Sequence, residues 1–348
     1  MRQKTFLHSG LPTSAVKKAR LGCLARRVWQ SLLLLTATTL AACSTGQSHL
    51  NSNTVNVDAP VPLRSQPTAV PATRAVDLTP VFTHTAPPSP VMPPVRKDPL
   101  PRDAWREMPV VPEEISDRAR AIYGYGISLG NDRTHFSIIG DCQNVSSYFL
   151  STFDKPGDYS LGKEYDYLQP TIDYYQGSFS RQSLAVKGGF NAAAVISPLR
   201  ADPEACNQGE SPLDCELLTW KPSIVIVSME TWWSEKPAEE YDRYMRRVLD
   251  RIIETGALPI IATKADNLEG DNAINATIAQ IAYEYEIPMW NFWAAVQPLP
   301  SQGLSPDRFH LTFARNFFDD PDRMESAWPW RNLTALQTLD AVRKALSE

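Results

Sequence analysis

From about residue 113 onward, short apolar runs alternate with segments whose apolar residues recur every three or four positions, and this alternation constrains the fold most. A brief apolar run suits a strand buried on both faces, and an amphipathic stretch between two such runs suits the helix that crosses from one to the next. Repeated, the pattern builds a parallel sheet covered by helices. Strands are expected at residues 135–139, 183–186, 223–228 and 258–262, with a fifth at 288–291. Residues 237–255 predict a helix: Pro237 opens it, Tyr241, Tyr244, Met245, Val248, Leu249 and Ile252 form one face, and Gly256 stops it. Two more helices are expected at 272–286 and 333–346. In open sheets of this kind ligands bind beyond the carboxyl ends of the strands. Attention therefore falls on the residues that follow positions 139 and 228.

The first third of the chain reads differently. Lys17, Lys18, Arg20, Arg26 and Arg27 precede an apolar run at 28–40 that is too short to cross a hydrocarbon core of about 30 Å, and Ala41 and Ala42 follow it. Residues 1–42 are expected to be an export signal. Leu40-Ala41-Ala42-Cys43 resembles a bacterial lipobox, which implies that Cys43 carries lipid and anchors the protein to a cell or outer membrane, facing away from the cytoplasm. The alternative is an ordinary signal or a short anchor in which Cys43 is incidental. Each buried methylene of a lipid contributes about 0.8 kcal/mol, so one chain anchors only marginally. Residues 43–112 are polar and dense in proline, lack apolar periodicity and are expected to form a disordered tether. That leaves 113–348 as one domain of ordinary size.

Charge and cysteine usage exclude several roles. The net charge is −5 and the domain lacks a basic cluster, so nucleic acid is not an expected partner. Arg243, Arg246 and Arg247 alternate with apolar residues and read as a solvated helix face. Of the five cysteines, Cys23 lies in the leader and Cys43 in the lipobox. Cys206 and Cys215 bracket a short polar loop, and in an exported protein a disulfide between them is expected. Cys142 is left over. Neither a CxxC pair nor clustered histidines accompany these thiols, so no metal or other cofactor is expected.

Two short motifs carry the chemistry. The strand at 135–139 runs into Gly140-Asp141-Cys142, and Asp307-Arg308-Phe309-His310 stands near the C-terminus. Only two of the five histidines, His135 and His310, lie in the folded part, which makes His310 the candidate base. With these motifs the chain resembles the SGNH, or GDSL-type, hydrolases over about residues 136–310. The resemblance implies a three-layer α/β/α, flavodoxin-like fold with a five-stranded parallel sheet. It also implies a monomer that acts on ester bonds by acyl transfer. Cys142 stands where the family has its nucleophilic serine. Asp307-x-x-His310 matches the block in which the carboxylate orients the imidazole. Gly189, in Lys187-Gly188-Gly189-Phe190, is the better match to the glycine whose N–H binds the oxyanion. Trp232 occupies the place of the asparagine that supplies a second oxyanion donor, and losing one such donor typically costs about two to three powers of ten in rate. Asn144 or Gln143 could offer a replacement amide.

Two functions follow from these residues. In the first, Cys142, His310 and Asp307 form a triad that cleaves esters, the substrate being a simple ester or an acylated glycan stacked on Trp232 or Trp233. In the second, Cys142 is a small residue packed at a strand end, and the fold binds a glycan or a protein without turnover. The tryptophans at 290, 293, 328 and 330 suit core packing better than sugar binding.

Overall fold

The structure is a computed structural model that describes Pro94, residues 96–229 and residues 237–347. These lie in the second of two units of the chain, Val81–Glu348, while the first, Met1–Pro80, is outside the described residues and with it Cys43. Helix α1 (Asp117–Ser128) leads into strand β1 (Asp132–Gly140); a two-residue strand β2 (Tyr159–Ser160) and helix α2 (Gln169–Tyr174) follow. Then come α3 (Pro212–Trp220), β3 (Pro222–Ser228), α4 (Ala238–Glu254), β4 (Leu258–Ala262), α5 (Ala273–Tyr285) and β5 (Met289–Trp290). The chain closes with α6 (Phe292–Val296), β6 (Asn316–Phe317) and α7 (Ala327–Ser347).

Strands β1, β3, β4 and β5 form one parallel sheet in that order, and β2 pairs with β6 separately. Every residue of β3 and β4 is buried, as a sheet covered on both faces requires. The helices pack in two groups, α3 with α4 and α4 with α5 in one, α2 and α6 with α7 in the other.

The expected five-stranded sheet therefore has four strands. The stretch at 183–186 joins β1 only through a parallel bridge between Gly140 and Val186. Its backbone is engaged elsewhere: Leu184 N–H donates to the buried Glu216 carboxylate at 2.9 Å and Ala185 N–H to Ser183 Oγ at 3.1 Å. Counting that segment, the order across the sheet is second, first, third, fourth, fifth, which is the flavodoxin-like order. The switch point falls between β1 and β3, where Gly140 is in register with Ser228.

Local signals explain the helices. In α4, Tyr241, Met245, Val248, Leu249, Ile252 and Ile253 are buried, Glu239 and Glu240 stand in the first turn, and the boundaries fall within one residue of expectation. Beyond it Gly256 has a positive φ of 75° and touches Gly126 of α1, where a Cβ would lie 2.0 Å from the Gly256 carbonyl oxygen. Neither glycine can carry a side chain without parting α1 from the end of α4. Arg246 departs from the expected solvated face: it pairs with Asp242 at 2.8 Å and with the buried Glu284 of α5 at 2.7 Å.

The disulfide joins Cys206 to Cys215, as expected. Helix α3 was not foreseen there; Ser211 and Asp214 form a reciprocal capping box around Pro212. The domain also begins earlier than residue 113. Trp105 is only 2% exposed, Asn291 Nδ2 donates to the carbonyls of Trp105 and Met108 at 2.8 and 2.9 Å, and Asn291 N–H donates to Val110 O. Residues 96–112 thus pack on β5 and α5 instead of continuing the tether.

Candidate active site

β1 delivers its last residue to the switch point, and the chain turns sharply there. Asp141, buried, accepts from Gln143 N–H at 2.9 Å and caps a short 3-10 turn at Cys142–Asn144. Gly140 has to be glycine, because a Cβ on it would lie 2.2 Å from the folded-back Asn144 amide. That amide bridges the two strands: Nδ2 donates to Ser228 O at 2.6 Å and to Asp141 Oδ1 at 3.3 Å. Its Oδ1 accepts from Arg331 Nη2 at 3.1 Å, and the same nitrogen donates to Ser228 Oγ at 2.5 Å. Arg331, fully buried on α7, lies 4.8 to 5.3 Å from the ring centroids of Phe149, Trp290 and Phe292. The idea that Asn144 donates to an oxyanion is thereby corrected. Its N–H groups hold the switch point together, and a buried amide turned away from there would forfeit both hydrogen bonds.

Cys142 is partly exposed and outside the disulfide. It sits against the glycine pair expected beside it, since a Cβ on Gly188 would be 3.8 Å from Cys142 Cβ. The pair is held by the β1 edge: Gly140 N–H donates to Ala185 O and Lys187 N–H to Gly140 O. Gly189 is exposed with a positive φ of 82°, a backbone state that favours glycine. Among the described residues its N–H makes no hydrogen bond.

The second half of the site is an exposed loop closed by an antiparallel bridge between Leu304 and Leu311. Asp307 Oδ1 accepts from the N–H groups of Phe309 and His310, both at 3.0 Å, and Oδ2 lies 2.6 Å from His310 Nδ1. The imidazole hydrogen bond, then the two backbone donors, hold the Asp307 carboxyl down at about 2. With Nδ1–H given to Asp307, Nε2 is left as the proton acceptor. His310 is 61% exposed and Asp307 50%. The loop meets the Cys142 turn where Gln143 Nε2 reaches Phe309 O at 3.4 Å.

His135, the other histidine of the domain, is occupied at the far end of β1. It stacks on Trp220 at 3.9 Å, with Nδ1 3.0 Å from Trp220 O. Trp232 and Trp233 lie outside the described residues. Trp290 and Trp330 are packing residues whose indole N–H groups donate to Thr334 Oγ1 and Met324 O. The sequence reading missed Arg331, for which an arginine inside a helical pattern gives no signal. It also missed the exposed Tyr148 and Phe313, rings 6.1 Å apart on the segments that follow Cys142 and His310. A cleft of about 810 Å³ lies at the carboxyl ends of β4 and β5 and counts Asp307 and Trp293 in its wall. Among the described residues no group of three or more His, Cys, Asp or Glu side chains could hold a metal ion.

No family model and no curated protein matches the chain. One solved structure, assigned by its name to a lipolytic protein of the G-D-S-L family from Desulfitobacterium hafniense DCB-2, is similar at 16% identity with a TM-score of 0.36. The match covers 59% of this chain and 99% of that one. The chain's own strand order makes it a doubly wound α/β protein, with the Cys142 turn at the switch point.

Proposed function

We propose that the domain is an ester hydrolase in which Cys142 is the nucleophile, His310 the base and Asp307 the group that orients it. The observation that carries this reading is the Asp307–His310 pair, already hydrogen-bonded at 2.6 Å and joined to the Cys142 turn through Gln143 and Phe309. In the proposed cycle His310 Nε2 takes the Cys142 proton and the thiolate adds to the ester carbonyl carbon. The carbonyl π pair moves onto oxygen, within reach of the N–H of Gly189. Collapse expels the alcohol oxygen, which takes the proton from His310 and leaves a thioester. Water, deprotonated by the same imidazole, adds to that thioester; the acid departs and the thiol is restored. Lipid on Cys43 would hold this activity outside the cytoplasm.

A binding role without turnover has one observation in its favour. The Asn144 amide, two residues after the nucleophile, is engaged in the scaffold through Ser228 and Asp141. The test is hydrolysis of short acetyl esters under reducing conditions by the native chain, Cys142→Ala, Cys142→Ser and His310→Ala. Turnover that vanishes in Cys142→Ala and His310→Ala supports the triad. Silence of the native chain with activity in Cys142→Ser would mean a scaffold muted at its nucleophile, and silence in all four would leave binding. Metabolic labelling with palmitate, lost on Cys43→Ala, tests the anchor.

A further inference from the structure

The cleft beside Asp307 has features that the triad does not use. At about 810 Å³ it is of the size that small-molecule sites occupy. Its wall holds neutral groups that both donate and accept, with part of that capacity unused among the described residues. Among the described residues Asn267 engages only Oδ1, accepting from Asn272 N–H; Gln297 engages only Nε2, donating to Trp293 O; and the Gln302 side-chain amide and the Trp293 indole N–H have no hydrogen-bond partner. Trp293 is also a fixed surface. Its ring meets the buried Trp105 edge-on at 4.7 Å, and the Arg106 guanidinium stands 5.2 Å from both ring centroids. Arg106 is itself neutralised by Asp103 at 2.9 Å.

Backbone conformation singles out the same place. Of the seven non-glycine residues with positive φ among the described residues, four line this cleft: Asn272, Ser301, Gln302 and Arg308. Such conformations are strained for residues that carry a Cβ and persist where the surrounding structure requires them. Two of them, Ser301 and Gln302, lie in the turn that precedes Asp307, and Arg308 directly follows it.

A ligand for such a wall would be rich in hydroxyls, each of which donates and accepts, and would present a C–H face to an indole. We infer that the cleft holds the sugar chain of an acylated glycan and seats it against Trp293, with the acyl ester directed to the Asp307–His310 end. This rests on the ester-hydrolase reading and specifies the alcohol side of its substrate. The side chains of Gln297 and Gln302 would be its principal hydrogen-bonding partners.

Binding separates this inference from the hydrolase reading, because it requires no turnover. The experiment is calorimetric titration of the full-length His310→Ala protein, and of the same protein with Trp293→Ala, Trp293→Phe or Gln297→Ala/Gln302→Ala, using partly O-acetylated chito-, xylo- and manno-pentaose. At least one of these oligosaccharides should bind. Trp293→Ala should weaken it by about tenfold or more, Trp293→Phe should restore most of the loss, and the glutamine pair should weaken it several-fold. Unchanged melting temperatures guard against misfolding. Affinity unaffected by Trp293→Ala, displacement by millimolar inorganic phosphate, or no binding of any of the three oligosaccharides would overturn the inference. Absence of ester turnover in the native chain, with binding intact, would instead remove the hydrolase reading and leave the glycan site standing.

Discussion

The two halves of the candidate site are held in opposite ways. The Cys142 turn is anchored below the surface, with Asp141 and Asn144 each 1% exposed and Arg331 fully buried beneath them. The Asp307–His310 loop stands in solvent and is ordered by a handful of bonds within four residues. Damage to the first half should spread into the fold, because unsatisfied groups there have no water to turn to. Damage to the second should stay local and appear only in chemistry. The contrast also bears on where a site of this kind can vary. An exposed loop should lose its imidazole at little cost to the fold, whereas the strand-end turn should lose stability with its buried amide.

His310→Ala tests the exposed half most severely: turnover of an acetyl ester should fall by about 10³-fold, within the range of general acid–base catalysis, while the melting temperature moves by no more than about 2 °C. A large thermal shift would show the loop to be structural. Arg331→Ala should do the reverse, lowering stability by about 3 kcal/mol or more in urea unfolding, from lost packing and stranded acceptors together. Asn144→Ala, which removes the bonds from its amide to Ser228 O and Asp141 and the one it accepts from Arg331, should cost about 2 kcal/mol in the same assay. If either variant unfolds like the native chain, the buried turn is not the anchor that its geometry indicates. The smallest effect is in titration. A carboxyl ¹³C signal of Asp307 should change near pH 2, and His310→Ala should move it up towards the ordinary carboxylate range. Because the native value is depressed, whatever the pair adds to stability is present above the unfolded carboxylate range and disappears as the pH falls through about 2. Solvent exposure keeps that contribution small.

Sequence patterns revealed the elements whose residues answer to their own neighbours. α4 could be read to within a residue because its apolar stripe and Gly256 are local signals. Asp307-x-x-His310 could be read because the pair closes within one turn. The strand expected at 183–186 failed because Ala185 N–H, the donor that would have met β1, turns onto Ser183 Oγ, while the buried Glu216 carboxylate, far along the chain, holds Leu184 N–H on the opposite side. Asn144 looked available because its partners, Ser228 and Arg331, come from distant segments. Helix α3 was legible in principle, since Ser211-Pro212 followed by Asp214 is a helix-start signal, but Cys206 and Cys215, the second of them inside the helix, suggested a loop. Trp105 was hidden by the prolines around it.

The solitary bridge at Val186 has a consequence for the site beside it. A full edge strand would have carried its ladder past Gly188 and Gly189, tying their backbone to β1 and holding both residues in extended conformations. Because the pairing stops after Lys187, the chain can take a left-handed step at Gly189, next to the glycine that packs on Cys142. An interrupted sheet margin thus releases a short piece of backbone from the ladder where it borders the strand-end turn.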